Sequence, residues 1–406
     1  MDKKLIKLII IGVALLVGCI VLMVLYNMAT GGTKYTYNEV VKKTVSATKS
    51  YLSDNPTRYP NSSTPYTTIA FATLVEEKYI KSASDLFKDD NAVCYGDVTV
   101  YYIEKNVYDY VPNLTCTNNG TTSNPKFLSN DLIGDSEINV VLNGNGLYKR
   151  VDGKWITNEE DLNGSSSDSE TYYFYRGNNT DIYNYVKIDD MLFRVVMINN
   201  DGSMLMIYHG ALYETYPWDS RYNTVEQKNS GINTYIDKDG VRSNAYSKIE
   251  QFTKGNIGLY QKAVYSNNLK YLLEDFNVCV GKRLNNDEGT DGSIECKEVL
   301  ENQKASLLPA YMYMSASLDQ NCTKVTSPSC SNNNYFNIYP AFWLVTTNMD
   351  QSDYCYSVDG GVSKIPCSSS AFFKPVVTVS SRVQYTGGSG KYSDPYIIDL
   401  SSYTAS

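Results

Sequence analysis

NYVKIDDMLFRVVMINNDGSMLMIY, residues 184–208, holds three short runs of Val, Ile, Leu, Met and Phe, parted by Asp189-Asp190 and by a polar stretch ending at Ser203. Apolar runs of this length, rich in β-branched and aromatic residues and bounded by turn formers, read as strands rather than helices. The segment therefore predicts strands at 184–188, 191–198 and 204–208. Asn200-Asp201-Gly202 is a strong tight-turn signal, because the glycine supplies positive φ at no steric cost, so the last two strands should pair as a hairpin.

The same pattern extends in both directions. TYYFYR adds a strand at 171–175, and INVVLNGNGLYKRVDGKWI, 138–156, predicts two strands with turns at Asn143 to Gly146 and at Asp152-Gly153. Downstream, FNIYPAFWLVTT, YCYSVDGGVSKI and FKPVVTVSSRVQYTGGSGKYSDPYII return to strand-like runs, and Tyr396-Ile397-Ile398 has the make-up of an edge strand that closes a fold. Between them, 214–292 is polar and rich in Tyr and Asn, with a helix predicted around 260–276. The polar runs 117–129 and 163–169 read as a linker region, 117–170, carrying the 138–156 hairpin.

Toward the N-terminus the character changes. Residues 8–26 contain no charge, and about 19 helical residues at roughly 1.5 Å each reach nearly 30 Å, the thickness of a bilayer core. Lys3, Lys4 and Lys7 precede the run, which predicts a cytoplasmic segment 1–7, a transmembrane helix 8–26 and the bulk of the chain outside the cell. Leu16-Val17-Gly18-Cys19 resembles a lipobox, yet six apolar residues follow Cys19, which fits an intact helix better than an acylated cysteine after cleavage. Helices are predicted at 37–52, stopped by Asn55-Pro56, and in TIAFATLVEEKYI, 68–80.

The chain of 406 residues carries a net charge of −8 with scattered Lys and Arg, so nucleic acid has no electrostatic footprint on it. Eight cysteines lie beyond Cys19: Cys94, Cys116, Cys279, Cys296, Cys322, Cys330, Cys355 and Cys367. An even number in a segment placed outside the membrane points to disulfides. No Cys-x-x-Cys pair accompanies them and His209 is the sole histidine, so zinc spacing fails and no metal or cofactor is expected. Sequential pairing would tie the open ends of local hairpins and loops; nested pairing stays open. Asp287 to Glu298 spaces its acids partly as a calcium loop would, but Gly289 supplies no side-chain oxygen at the third position, and a solvated turn is the preferred reading.

Two resemblances rest on these motifs. A short charged N-terminus, an apolar span running into an amphipathic helix, LVEEKYI and a Cys94-to-Cys116 hairpin resemble the stem units of pilin-like bacterial surface proteins. The pilin processing signature is absent, since Gly12 is followed by Val13-Ala14-Leu15-Leu16. From 171 to 400, the order YYFYRG, residues 184–208, PAFWLVTT, YSVDGGVS and KPVVTVSSRVQYTGGSGKYSDPYII is similar to uncharacterised bacterial surface proteins. Their C-terminal module has the C-type-lectin-like fold shared with formylglycine-generating enzymes. Phe372-Phe373-Lys374-Pro375 stands where such proteins often carry Gly-Val-Arg-Pro.

The expected architecture is thus α+β: a transmembrane helix, a small helical and hairpin stem at 33–116, the linker, and a β-rich C-type-lectin-like ectodomain at 171–406. No catalytic constellation accompanies it. His209 ends a strand with no nucleophile elbow nearby, and Cys355 with Cys367 fits a hairpin staple better than a redox pair. The expected function is a surface-displayed binding or adhesion protein held in the lipid bilayer and meeting an extracellular protein or glycan. A pilin-like structural subunit is the alternative and an enzyme on the same fold a third. Tyr213, Tyr216, Trp218 and Tyr222, in a Tyr- and Asn-rich loop region, are the candidate ligand contacts.

Overall fold

The computed structural model describes residues 34–134, 144–157, 170–178, 182–212, 214–254, 269–337, 340–398 and 400. The predicted membrane helix 8–26, Cys19 and Tyr213 lie outside them. No helix among the described residues is long and apolar enough to cross a membrane. The chain is α+β with more strand than helix, and it divides into two compact units between Pro125 and Lys126.

In the first unit, α1 (Tyr37–Asp54) opens with a reciprocal cap: Glu39 N donates to Thr36 Oγ1 at 3.4 Å and Thr36 N donates to Glu39 Oε2 at 2.7 Å. Its buried positions Val40, Thr44, Val45, Ala47, Thr48, Tyr51 and Leu52 recur at helical spacing, and Pro56 ends it. Strands β1 (Tyr66–Ala70), β2 (Val93–Glu104), β3 (Val107–Asn118) and β4 (Thr121–Ser123) form one antiparallel sheet in that order. Val45, Tyr51 and Leu52 of α1 pack with Ile69, Val98, Val100 and Tyr110 of the sheet. The predicted helix at 68–80 is only half right. Tyr66–Ala70 pairs with β2, Ile69 opposite Val98, and only Phe71–Glu76 is helical (α2). Thr67-Thr68-Ile69 is β-branched, and sheet pairing overrides the apolar periodicity there. A short helix, α3 (Ala83–Phe87), precedes β2, and Cys94 sits directly opposite Cys116 in the hairpin, bonded to it.

The second unit is built on a ten-stranded sheet. Its strands are β5 (Gly146–Val151), β6 (Lys154–Trp155), β7 (Thr171–Arg176), β8 (Tyr185–Ile188), β9 (Met191–Ile198), β10 (Met204–Tyr208), β12 (Leu273–Glu274), β19 (Val376–Val379), β20 (Tyr385–Gly387) and β21 (Tyr396–Ile398). The main path runs β12-β19-β10-β9-β7-β5-β6, and β9 also pairs with β8, which carries β21 and β20 beyond it. The predicted hairpin is present: β9 and β10 are antiparallel, with Gly202 at φ 80° in the turn. Nearly every residue of β9 and β10 is buried, as expected of central strands covered on both faces.

Three smaller strand groups and several helices, among the described residues, complete this unit. β11 (Tyr216–Pro217) pairs with β18 (Ser370–Ala371), and β13 (Phe276–Cys279) with β14 (Val299–Gln303). β15 (Phe342–Thr347), β16 (Tyr354–Val358) and β17 (Val362–Pro366) form a three-stranded sheet. The helices are α4 (Leu128–Gly134), α5 (Asn244–Thr253), α6 (Leu269–Leu272) and α7 (Ala310–Ser315). Two expectations change here. The region read as a linker contributes β5 and β6 to the main sheet, β5 lying against β7 from Gly146 opposite Arg176 to Val151 opposite Thr171. The helix predicted around 260–276 is described only at Leu269–Leu272, after which the chain is extended, while α5 forms in a stretch read as loop. Bonds Cys279–Cys296, Cys322–Cys330 and Cys355–Cys367 follow the sequential pairing.

The closing strand, read as an edge strand, is paired on both sides instead, with β8 and with β20, which lies outermost. Ile398 is 5 % exposed and Ile397 is 39 % exposed, the latter paired with Lys187 of β8. Ile398→Asp should therefore lower the unfolding free energy by about 3 kcal/mol or more by burying an unpaired charge, while Ile397→Asp should change it by less than about 0.5 kcal/mol. Thermal unfolding of the two variants side by side checks the assignment, and equal losses would refute it.

Candidate functional site

Register places a row of side chains across the main sheet. Phe174 of β7 lies opposite Met197 of β9, Met197 opposite Leu205 of β10, and Leu205 opposite Thr378 of β19. Facing residues in adjacent strands project to the same side, so the row makes a continuous, mostly apolar floor. The segment from β13 to the start of α7 lies over it. Val278, Leu307, Pro309 and Met312 supply apolar walls, and the Cys279–Cys296 bond ties the covering segment to its own loop. The result is an open cleft of about 470 Å³, a size that suits a small ligand or one side group of a larger one.

Its polar groups are held in place. Arg150 donates from Nε to Gly153 O at 3.0 Å and from Nη1 to Thr290 O at 2.7 Å, with its guanidinium 4.6 Å from the Trp155 ring centre. Burial pulls its pKa down, and Asp291 partly opposes that. Asp291 accepts from Ser293 Oγ at 2.6 Å and Ser293 N at 3.1 Å; burial resists ionisation, but these bonds and Arg150 outweigh it, and the carboxyl stays below its usual range. Burial, and then the nearby Glu295, push the Tyr311 phenol up, so it faces the cleft as a neutral donor. Beneath the lip, Arg283 Nη1 meets Glu295 Oε1 at 2.6 Å, and the same oxygen accepts Tyr311 N at 3.1 Å; Arg283 and Glu295 are both fully buried. The lip is thus anchored by a buried ion pair and a disulfide.

The three described candidate contacts named from sequence, Tyr216, Trp218 and Tyr222, do not line the cleft. Tyr216 is half-buried, stacked on Phe373 with ring centres 6.1 Å apart, and Lys248 Nζ sits 4.1 Å from the centre of the Tyr216 ring. Trp218 is fully buried: its Nε1 donates to Leu344 O at 2.9 Å, just as Trp343 Nε1 donates to Tyr216 O at 2.9 Å. It belongs to the interior, where it ties β11 to β15. Of the three described, only Tyr222 presents a free face, at 54 % exposure. The cleft residues were missed although Met197 and Leu205 flank the Asn200-Asp201-Gly202 turn, because nothing local marks which face of that hairpin is covered and by what.

The acidic loop is committed to the protein itself. Asp287 Oδ2 accepts Leu284 N at 2.7 Å, Asp291 binds Ser293, and Glu295 pairs with Arg283. Among the described residues no group of three or more His, Cys, Asp or Glu is arranged to hold a metal ion. His209 is not among the residues lining the cleft, and Cys279, Cys296, Cys355 and Cys367 are all in disulfides. The arrangement can grip an apolar group and hydrogen-bond a polar edge beside it. Searches of protein-family models, curated proteins and solved structures gave no match to this chain.

Proposed function

We propose that this protein is a surface-displayed binding protein, held in the membrane by residues 8–26, whose disulfide-bonded second unit meets an extracellular protein or glycan and does no catalysis. The cleft between the main sheet and the Cys279–Cys296 segment carries the reading, because its apolar floor is combined with polar groups fixed before any ligand arrives. The C-type-lectin-like character of this unit remains part of the proposal, resting on the order of motifs from 171 to 400. The second reading, a pilin-like structural subunit, draws on one observation: α1 follows the apolar segment and packs against a four-stranded antiparallel sheet.

The test is to block the mouth without touching the core. Ser293 and Asn277 line the cleft and are exposed. Ser293→Trp and Asn277→Trp should each weaken binding to intact cells or immobilised glycans at least about tenfold, roughly 1.4 kcal/mol, with thermal unfolding nearly unchanged. Full binding by both variants would remove the cleft from the function.

A further inference from the structure

A second hollow, sharing no residue with the cleft, forms where the turn between β20 and β21 meets the start of β8. Lys391-Tyr392-Ser393-Asp394 is a tight turn: Asp394 N donates to Lys391 O at 3.1 Å, and Ser389 N to Asp394 O at 3.0 Å. Gly390 brings this turn close to β8. Its φ is 73°, its carbonyl accepts Tyr185 N at 2.9 Å, and a Cβ there would fall 2.5 Å from Tyr183 O, so only glycine permits the approach. Tyr392 is thereby held against Tyr185 and against His209, which follows β10. Its ring centre stands 5.5 Å from each of those rings, and they are 5.1 Å from one another. Three rings at contact distance, two of them edge to face, make a stiff support.

The hollow presents aromatic surface with isolated polar tips. It offers about 550 Å³, open to solvent, and its walls include the rings of Tyr183 and Tyr392, which are 49 % and 65 % exposed. Aliphatic side chains dominate the floor of the cleft, whereas here Ile182 is the one that lines the space. Lys391 is the one charged residue among the described residues lining it, with Nζ 5.3 Å from the Tyr183 ring centre. Burial, then Arg194 and Lys374, bring the His209 imidazole down to about 4, so it is neutral. Its Nδ1 is buried without a partner, which leaves Nε2 as the nitrogen open to a ligand. Stiff, exposed tyrosines engage a flat ligand at little cost in side-chain entropy. A pyranose ring fits such a surface, being apolar on its C–H faces and ringed by hydroxyls that imidazole and Ser393 can pair. A lone ammonium beside these groups selects a sugar that carries a carboxylate.

We propose that this hollow is a saccharide site, distinct from the cleft, that takes a carboxylated sugar ring such as a hexuronic acid within a longer glycan. Tyr183 and Tyr392 stack on its C–H faces, Lys391 meets the carboxylate, and His209 with Ser393 hydrogen-bonds the hydroxyls. The openness of the hollow lets the glycan continue beyond the bound ring at either end.

The probes are tetragalacturonate and a hyaluronan tetrasaccharide, each beside its carboxyl methyl ester, titrated calorimetrically into the full-length protein in a neutral detergent that carries no sugar. At least one acid should bind with a Kd below about 1 mM, and its ester about threefold more weakly or worse. Tyr392→Ala and Tyr183→Ala, both at exposed positions, should each weaken the acid about fivefold or more. Lys391→Gln should bind acid and ester alike, at the affinity the unaltered protein has for the ester. That comparison carries the test even if a tyrosine variant does not fold. Ser293→Trp, which plugs the cleft, should leave the saccharide affinity unaltered. No heat from either acid at about 10 mM, equal affinity for acid and ester, or full affinity in both tyrosine variants would each overturn the site. Loss of saccharide binding in Ser293→Trp would move the sugar into the cleft, overturning this site while leaving the reading of the cleft intact.

Discussion

Reduction of the native protein should unfold the second unit while leaving the first folded. The second unit holds three bonds spanning 17, 8 and 12 residues. In the loop-entropy model each constrains the unfolded chain by about 2.5 to 3 kcal/mol, together roughly 8 kcal/mol against a typical domain stability of 5 to 15 kcal/mol. The first unit has one bond, Cys94–Cys116, lying across a long hairpin that is already paired in register and packed against α1. The readout is clean, because the three tryptophans, Trp155, Trp218 and Trp343, all lie in the second unit, and Trp218 and Trp343 are fully buried. Added thiol reductant should shift tryptophan emission to the red, and far-ultraviolet circular dichroism should retain the helical signal of α1. Order matters too. Cys296 is exposed, whereas Cys355, Cys367 and Cys330 are 0 % exposed, so the bond at the cleft should open first and binding should fall before emission moves. Unchanged emission and an unchanged denaturant midpoint after full reduction would show that these bonds do not hold the unit together.

What could be read in the sequence follows the range of the forces involved. The β9–β10 hairpin was legible because its turn residues and its apolar runs are neighbours in the chain, and sequential disulfide pairing was legible because each bond closes a short loop over such a turn. Trp218 was misread for the opposite reason. Its surroundings, Tyr216, Asp219 and Tyr222, look like a surface loop, but its ring is placed by a hydrogen bond to Leu344, 126 residues away. The strand at Tyr66–Ala70 was hidden in the same way, since only β2 makes it a strand. The cleft needs three distant stretches at once: the floor from β7, β9, β10 and β19, the lip from 277–296, and the wall at Leu307 to Met312. No periodicity encodes that meeting. Lys374 was visible as a departure from a resemblance, yet the sequence gives no sign that Arg194 and His209 lie beside it.

The buried Arg283–Glu295 pair should be the single polar contact whose loss most damages the second unit. Both side chains are fully buried, and Glu295 Oε1 receives Arg283 Nη1 at 2.6 Å as well as the backbone N–H of Tyr311. Arg283 Nη2 also donates to Gly289 O, so one guanidinium holds the acidic loop, the base of α7 and the lip of the cleft. Burial raises the Glu295 pKa even though Arg283 opposes it, the mark of a carboxylate whose ionised state depends on its partner. Glu295→Ala would leave a guanidinium in the interior with no counter-charge, which costs about 3 to 5 kcal/mol. Glu295→Gln keeps an acceptor for both N–H groups and should cost less. The double variant Arg283→Met with Glu295→Leu removes both charges and should recover much of the loss, because well-packed apolar replacements of a buried ion pair are often neutral. Urea unfolding followed by tryptophan emission measures all three. If Glu295→Ala falls within about 0.5 kcal/mol of the unaltered protein, the pair is hydrated in solution, and the lip it anchors is not the fixed wall that ligand binding at the cleft requires.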